Sequence, residues 1–190
     1  GLMGLLWRSM CRRNNSSAKS RLLEPLEEIE IPVIPVALII GGGVTGMSAA
    51  ISLANQGFEV HLVEKEQELG GTLLDLNKLF TTNEEASKVI EPLIQKVKDH
   101  DKIKTYLSAQ AKDLSGFIGN FVATLGQNGE ESTINIGTII IATGAEVLKP
   151  LDQYGYGKFP NVVTQLELEE KMKSGDLEGQ NVVMINCVGA

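Results

Sequence analysis

Three glycines with fixed spacing are the residues of this chain whose pattern points most directly to chemistry. Gly41, Gly43 and Gly46 form a G-x-G-x-x-G that follows the apolar run Val36–Ile40 and precedes a stretch of small residues with helical periodicity. In such a strand–turn–helix the first glycine allows a tight turn, the second admits a pyrophosphate to the backbone, and the third lets the helix approach the sheet. The helix N terminus then offers free N–H groups and a positive dipole end to an anion. The pattern therefore predicts a dinucleotide phosphate site.

An acidic residue at the end of the next predicted strand fits the ribose of such a ligand. The strand Glu59–Val63 is followed by Glu64, which stands 18 residues beyond Gly46. A carboxylate at this place accepts hydrogen bonds from ribose hydroxyls and repels a 2′-phosphate, which argues against NADP. NAD and FAD share the ADP half, so the glycine pattern alone leaves both open.

Two further segments favour FAD over NAD. A glycine pair, Gly70-Gly71, follows the acidic residue, and the β-branched run 138–141 leads into Ala142-Thr143-Gly144, where small residues let a cofactor pass near the backbone. This combination is typical of FAD enzymes with two dinucleotide-binding domains. The predicted cofactor-binding residues are Gly41, Gly43, Val44, Thr45, Gly46, Glu64, Lys65, Gly70, Gly71, Thr143 and Gly144. No catalytic acid, base or nucleophile can be named, and no metal site is predicted.

The order of predicted elements indicates an α/β fold, a Rossmann-type FAD/NAD(P)-binding parallel sheet with a small antiparallel β-meander insertion. The meander is expected around strands 121–125 and 132–136, joined at Asn128-Gly129. Capping boxes predict one helix over 83–99, from Thr82 and Glu85, and another over 165–173, from Thr164 and Glu167. Pro92 should kink the first of these helices or begin a new segment.

Composition shifts divide the chain into three predicted parts. Residues 1–35 form a basic arm and an acidic, proline-containing linker, and residues 36–150 form the FAD-binding Rossmann-like domain. Residues 151–190 are expected to hold a connecting loop, a short helix and the first strand of a truncated following domain. At 190 residues the chain is too short for a complete flavoenzyme with FAD and NAD(P)H domains, so a fragment of a longer protein is expected.

Net charge and cysteine content bear on the binding partners and the location of the protein. A net charge of −7 makes nucleic acid an unfavourable partner, and no apolar run approaches the ~20 residues of a membrane span. Two cysteines, Cys11 and Cys187, are too few for a disulfide framework, which fits a cytoplasmic location. Two interpretations of Cys187 remain open. It is either a residue that packs in the fold, or a reactive group of a longer protein, as a cluster ligand or a redox thiol.

From residue 21 onward the sequence resembles the A subunits of heterodisulfide reductases and their relatives. The matching segments are residues 21–27, the glycine-rich stretch 41–71, Ile139–Gly144, residues 161–167 and residues 182–189. The resemblance implies a cytoplasmic FAD protein that carries iron–sulfur clusters elsewhere in its chain and passes electrons to iron–sulfur partner subunits. Relatives often place cysteines near the segment that is 80–87 here, and this chain has none there.

The resulting functional prediction is an FAD-binding electron-transfer oxidoreductase subunit. Two alternatives remain at this stage. An NAD-dependent dehydrogenase would bind NAD without the yellow colour of a flavin. A non-catalytic dinucleotide-binding or docking module would hold a nucleotide that neither dithionite nor a nicotinamide donor reduces.

Overall fold

The computed structural model describes Leu23 and residues 30–177 and 181–188. The predicted basic arm, residues 1–21, lies outside the described residues. Residues Pro32–Ala190 form one compact unit. Its elements, in chain order, are β1 (Val36–Ile40), α1 (Val44–Asn55), β2 (Glu59–Val63), a 3₁₀ turn (Gly71–Leu74), α2 (Ala86–Asp99), β3 (Ile103–Tyr106), β4 (Ala109–Phe117), β5 (Asn120–Gln127), β6 (Glu130–Ile136), β7 (Thr138–Ile141) and α3 (Gln165–Ser174).

Four parallel strands form the central sheet in the order β3-β2-β1-β7. Strand β1 is interior, and its last residue, Ile40, aligns with Val63 of β2 and Ile141 of β7. The carboxyl ends of three neighbouring strands therefore meet at one edge, where ligands bind in open α/β sheets. This arrangement confirms the predicted Rossmann-type sheet.

The helices α1 and α2 cover one face of this sheet. Met47, Ala50 and Ala54 of α1 are buried against the strands, in one cluster with Ile39 and Leu62. Each large apolar side chain buried in this way contributes about 1.5–3 kcal/mol. Because small residues predominate on the buried side of α1, the helix lies close to the sheet, and its N terminus is held at the ends of the strands.

A three-stranded antiparallel sheet, β4-β5-β6, covers the opposite face. Leu125 and Ile136 are buried in a second cluster with Leu38 and Val63 of the parallel sheet. The predicted meander and its turn are confirmed: Asn128 and Gly129 both have positive φ, 52° and 85°, as a type I′ turn requires. Strand β4 was not predicted, because eight of its nine residues are exposed and its apolar signal is weak. Its pairing with β5 along the whole hairpin defines it.

The predicted start of α2 is wrong. The helix begins at Ala86, three residues later than predicted, and its N-cap Glu85 makes no side-chain capping bond. A tight turn occupies the preceding residues, since the Asn83 N–H donates to the Leu79 carbonyl and Asn83 has a φ of 57°. This left-handed residue is incompatible with helix, so the capping box expected from Thr82 does not form. The helix runs through Pro92 as one element, so no new segment begins there.

The last helix agrees with its prediction. Thr164 and Glu167 form a reciprocal capping box, and Gly175 ends α3 in the left-handed conformation. The strand expected over 181–190 is not formed in the described part of that range, 181–188, which makes no ladder hydrogen bonds. None of the helices in the described ranges is long and apolar enough to span a bilayer.

Candidate functional site

The first glycine holds the turn close to the end of β7. The Gly41 N–H donates to the Val63 carbonyl at 2.8 Å, and its φ is +111°, a conformation that glycine adopts without strain. A Cβ placed on Gly41 would be 2.2 Å from the Ala142 carbonyl oxygen and 3.1 Å from the Thr143 nitrogen. Gly41 is therefore required by close contact with the Ala-Thr-Gly segment, which brings two of the predicted motifs together.

The third glycine sets the distance between helix and turn. A Cβ on Gly46 would lie 1.8 Å from the carbonyl oxygen of Gly41, far inside van der Waals contact. Gly46 is buried, and the first turn of α1 rests directly on the glycine turn. Any larger residue would push the helix N terminus away from the sheet edge.

The middle glycine differs from the other two. Gly43 has φ −75° and ψ −176°, extended values that any residue adopts, and a Cβ built on it would meet no protein atom within 4 Å. Neither backbone conformation nor packing therefore requires glycine at this position. The neighbouring Val44 and Thr45 are the first residues of α1, and no side chain caps this helix end. Open space beside Gly43 and the N–H groups of an uncapped helix fit the close approach of a phosphate.

The glycine pair packs against the same turn. The Gly70 N–H donates to the Gly42 carbonyl at 2.9 Å, and Gly43 and Gly70 form a parallel β-bridge. A Cβ on Gly71 would lie 3.1 Å from the Gly43 Cα. The two glycine segments predicted from sequence are thus neighbours in the structure.

Glu64 is the one buried charged side chain among the described residues, at 7% exposure. Its Oε2 accepts a hydrogen bond from the Gly42 N–H at 2.5 Å, and its Oε1 accepts one from the Glu66 N–H at 2.9 Å. The carboxylate therefore fixes the glycine turn, a role that the sequence did not indicate. Each oxygen retains a lone pair that can accept a ribose hydroxyl. Lys65 is exposed and lies 3.7 Å from the Glu66 carboxylate.

Two residues that the sequence did not single out complete the turn. A Cβ on Gly42 would lie 2.5 Å from the Leu69 side chain and 2.9 Å from Glu64 Oε2, so a side chain at the central glycine of the Gly41–Gly43 run would displace one of these groups. Leu69 is 3% exposed and belongs to the core cluster on the face that the helices cover. The run of three consecutive glycines was the available signal for Gly42.

The Thr143-Gly144 segment is exposed where it leaves β7. Gly144 has a φ of +70°, and a Cβ there would contact nothing within 4 Å. The backbone of Thr143 thus borders the turn, whereas Gly144 extends beyond it. Two of the eleven predicted residues, Lys65 and Gly144, lie at the periphery of the site. The other nine are in the glycine turn, in the first turn of α1 or next to them: Gly41, Gly43, Val44, Thr45, Gly46, Glu64, Gly70, Gly71 and Thr143.

No metal-binding cluster stands beside the turn in the described ranges. They contain no group of three or more His, Cys, Asp or Glu side chains arranged for a metal ion. The half-buried His61 of β2 contacts the Tyr106 hydroxyl at 2.9 Å through Nδ1. Burial, with the ammonium group of Lys104, lowers the pKa of His61. Because it precedes the end of β2 by two residues, we assign it to the sheet rather than to the site.

Curated proteins that are similar to this chain include A subunits of heterodisulfide reductases. An iron-sulfur A subunit (number 1) of the CoB–CoM heterodisulfide reductase of Methanopyrus kandleri is 29% identical, with 90% of this chain and 40% of that protein covered. The A subunit of the H2:CoB–CoM heterodisulfide,ferredoxin reductase of Methanothermobacter marburgensis is also 29% identical, with 91% and 40% covered. The chain thus spans less than half the length of these relatives. The first alignment has 264 positions, so the relative carries residues inside the matched region that this chain lacks.

Among solved structures, L-proline dehydrogenase from P. horikoshii is similar. Its identity is 29%, the TM-score is 0.52, and the match covers 63% of this chain and 25% of that one. This likeness supports the fold that the strand order defines.

The family comparison covers most of the chain. Residues 36–189 match the model of the pyridine nucleotide-disulphide oxidoreductases. The matched region begins at β1 and contains the glycine turn, the glycine pair and the Ala-Thr-Gly segment. The family and the fold together indicate a dinucleotide cofactor of the flavin type. This chain belongs to the pyridine nucleotide-disulphide oxidoreductase family.

Proposed function

We propose that the chain binds FAD at the glycine turn and is the flavin-binding part of an electron-transferring oxidoreductase that resembles the A subunits of heterodisulfide reductases. The observation that carries the proposal is Gly43. Its glycine identity is explained by no backbone or packing need of the protein, and the space beside it faces an uncapped helix N terminus. A pyrophosphate that approaches the backbone explains both features.

The surrounding residues suit the rest of the ADP half. Glu64 lies at the end of β2, where the adenosine ribose is held in dinucleotide-binding folds, and it carries a second lone pair on each oxygen. Its negative charge disfavours a 2′-phosphate. The glycine pair Gly70-Gly71 and the backbone of Thr143-Gly144 would border the remainder of the cofactor. When bound, the flavin ring supplies the redox chemistry, and the protein supplies position and electrostatics.

The wider role rests on the relatives. Both relatives named above are subunits of heterodisulfide reductases, and the name of the first describes it as an iron-sulfur protein. We extend to this chain the inference that its electrons pass to iron–sulfur partner subunits in the cytoplasm. That residues 151–190 begin a following domain also remains a proposal.

A binding and reduction experiment tests the proposal. Purified chain is titrated with FAD, ADP and NAD, and the visible spectrum of the FAD complex is recorded before and after addition of dithionite or a nicotinamide donor. Saturable binding of FAD, tighter than NAD, with a reducible flavin spectrum is the expected result.

Each alternative gives a different result. NAD binding stronger than FAD binding would support a nicotinamide dehydrogenase instead. A bound nucleotide that neither dithionite nor a nicotinamide donor reduces would support a docking module. No binding of FAD or ADP would refute the proposed site.

A further inference from the structure

Helix α3 contacts the segment that follows the glycine pair, although almost a hundred residues separate them in sequence. The Asn77 backbone N–H donates to Glu169 Oε2 at 2.9 Å. The Lys173 ammonium group donates to the Leu74 carbonyl oxygen. The two helix residues are four apart and lie on one face of α3, so together they hold both ends of segment 74–77.

This segment follows directly after Gly70-Gly71, the pair predicted to bind the cofactor. The 3₁₀ turn runs from Gly71, which touches Gly43, to Leu74, which accepts the bond from Lys173. A displacement of Leu74 would therefore be transmitted through one turn of backbone to the glycine pair. The path from α3 to the phosphate site is only a few residues long.

The segment also contacts α2 and the core: the Ala86 N–H donates to the Asn77 carbonyl at 3.0 Å, and Leu73 and Leu74 pack against the buried cluster. A cavity of about 320 Å³ lies between it and α2, and Leu73, Leu74, Asn77, Ile90 and Lys173 are among the lining residues. Protein interiors are normally close-packed, so a space of this size leaves part of the segment without packing contacts. The hydrogen bonds from α3 add to the positioning of the segment on this side.

We propose that α3 is a clamp whose Glu169 and Lys173 hold segment 71–77 against the glycine turn, so that docking of α3 and binding of the dinucleotide stabilise each other. The inference rests on the proposed FAD site, and it assigns positioning rather than catalytic roles to both residues. Thermodynamic linkage makes this coupling reciprocal. If docking of α3 raises the affinity for FAD by a given factor, FAD raises the equilibrium constant for docking of α3 by the same factor.

The same helix offers a control of identical composition. The double variant Glu169→Ala/Lys173→Ala removes both contacts, and Glu170→Ala/Lys171→Ala removes the same residue types and net charge from neighbouring positions. Affinities for FAD and ADP are measured for the unaltered chain and both variants. Amide hydrogen exchange of Asn77 is measured without and with FAD.

We expect the clamp variant to bind FAD about fivefold more weakly than the unaltered chain, the effect of two partly exposed hydrogen bonds to charged groups. The control should stay within about twofold, inside the scatter expected of surface substitutions. Asn77 exchange should be faster only in the clamp variant, and FAD should slow it in the unaltered chain.

Three results would overturn the clamp. Equal FAD affinity of the two double variants would exclude the coupling and leave the FAD site standing. Equal Asn77 exchange in the two would exclude the contact itself. Failure of the unaltered chain to bind FAD or ADP would remove the proposed function and the coupling with it.

Discussion

Replacement of Glu64 by alanine should destabilise the fold itself, in addition to any effect on a ligand. The buried carboxylate accepts hydrogen bonds from the backbone N–H groups of Gly42 and Glu66. Loss of the acceptor leaves the buried Gly42 donor unsatisfied, which costs about 1–3 kcal/mol. The Glu66 donor belongs to an exposed residue and regains water. The one methylene group that is removed adds about 0.8 kcal/mol. Glu64→Ala should therefore lower the free energy of unfolding by about 2–4 kcal/mol.

Urea unfolding followed by circular dichroism measures this change against a matched control, Glu66→Ala. The Glu66 side chain is 67% exposed, and its ion pair with Lys65 spans 3.7 Å. Exposed pairs of this kind contribute less than about 1 kcal/mol, so the control should remain close to the unaltered chain. If Glu64→Ala costs no more than Glu66→Ala, the carboxylate does not hold the turn, and the reasoning about the site's preorganisation is refuted.

Three further predictions concern the turn, the sheet and the last helix. Gly46→Ala should cost about 3 kcal/mol or more, because its Cβ would fall 1.8 Å from the Gly41 carbonyl oxygen, and an unfolding midpoint equal to that of the unaltered chain would contradict this. Because burial lowers the pKa of His61, stability should fall as the pH drops from 6.5 through the folded pKa. Urea midpoints across this range should vary less in His61→Gln, and equal pH dependence would refute the assignment. Thr164→Ala removes the capping bond to the Glu167 N–H and should lower the local opening free energy of α3 by about 1 kcal/mol, measured by hydrogen exchange; unchanged protection would argue against the cap.

The sequence was sufficient where local residues determine the geometry. The glycine turn follows from steric needs at Gly41 and Gly46, and the hairpin turn at Asn128-Gly129 follows from two positive φ angles. Strand β4 could not be found in this way, because pairing with β5 rather than an apolar pattern defines it. The partner strand follows directly after a short turn, but the exposed β4 has no apolar alternation that would reveal the pairing.

The candidate site shows the same division. Gly70-Gly71 was predicted from the sequence as a cofactor-binding pair, whereas its bridge to Gly43 is seen only in the structure. The bond from the Gly42 N–H to Glu64 was not predicted, because it joins a backbone group to a side chain 22 residues away. The contacts of Glu169 and Lys173 with segment 74–77 span 92 and 99 residues, and no local pattern encodes them. The late start of α2 depends on the left-handed Asn83, which a capping pattern cannot reveal.

The proposed cofactor site depends most on the open space beside Gly43, and Gly43→Ala tests it directly. The added methyl group meets no protein atom and needs no change of φ, so the free energy of unfolding should shift by no more than about 1 kcal/mol, the effect of alanine at a helix N-cap. The methyl group would occupy the path of a pyrophosphate. Titration with FAD and ADP should therefore show affinities lower by about tenfold or more in a fully folded variant. Unchanged affinities would place the nucleotide elsewhere and contradict the central claim.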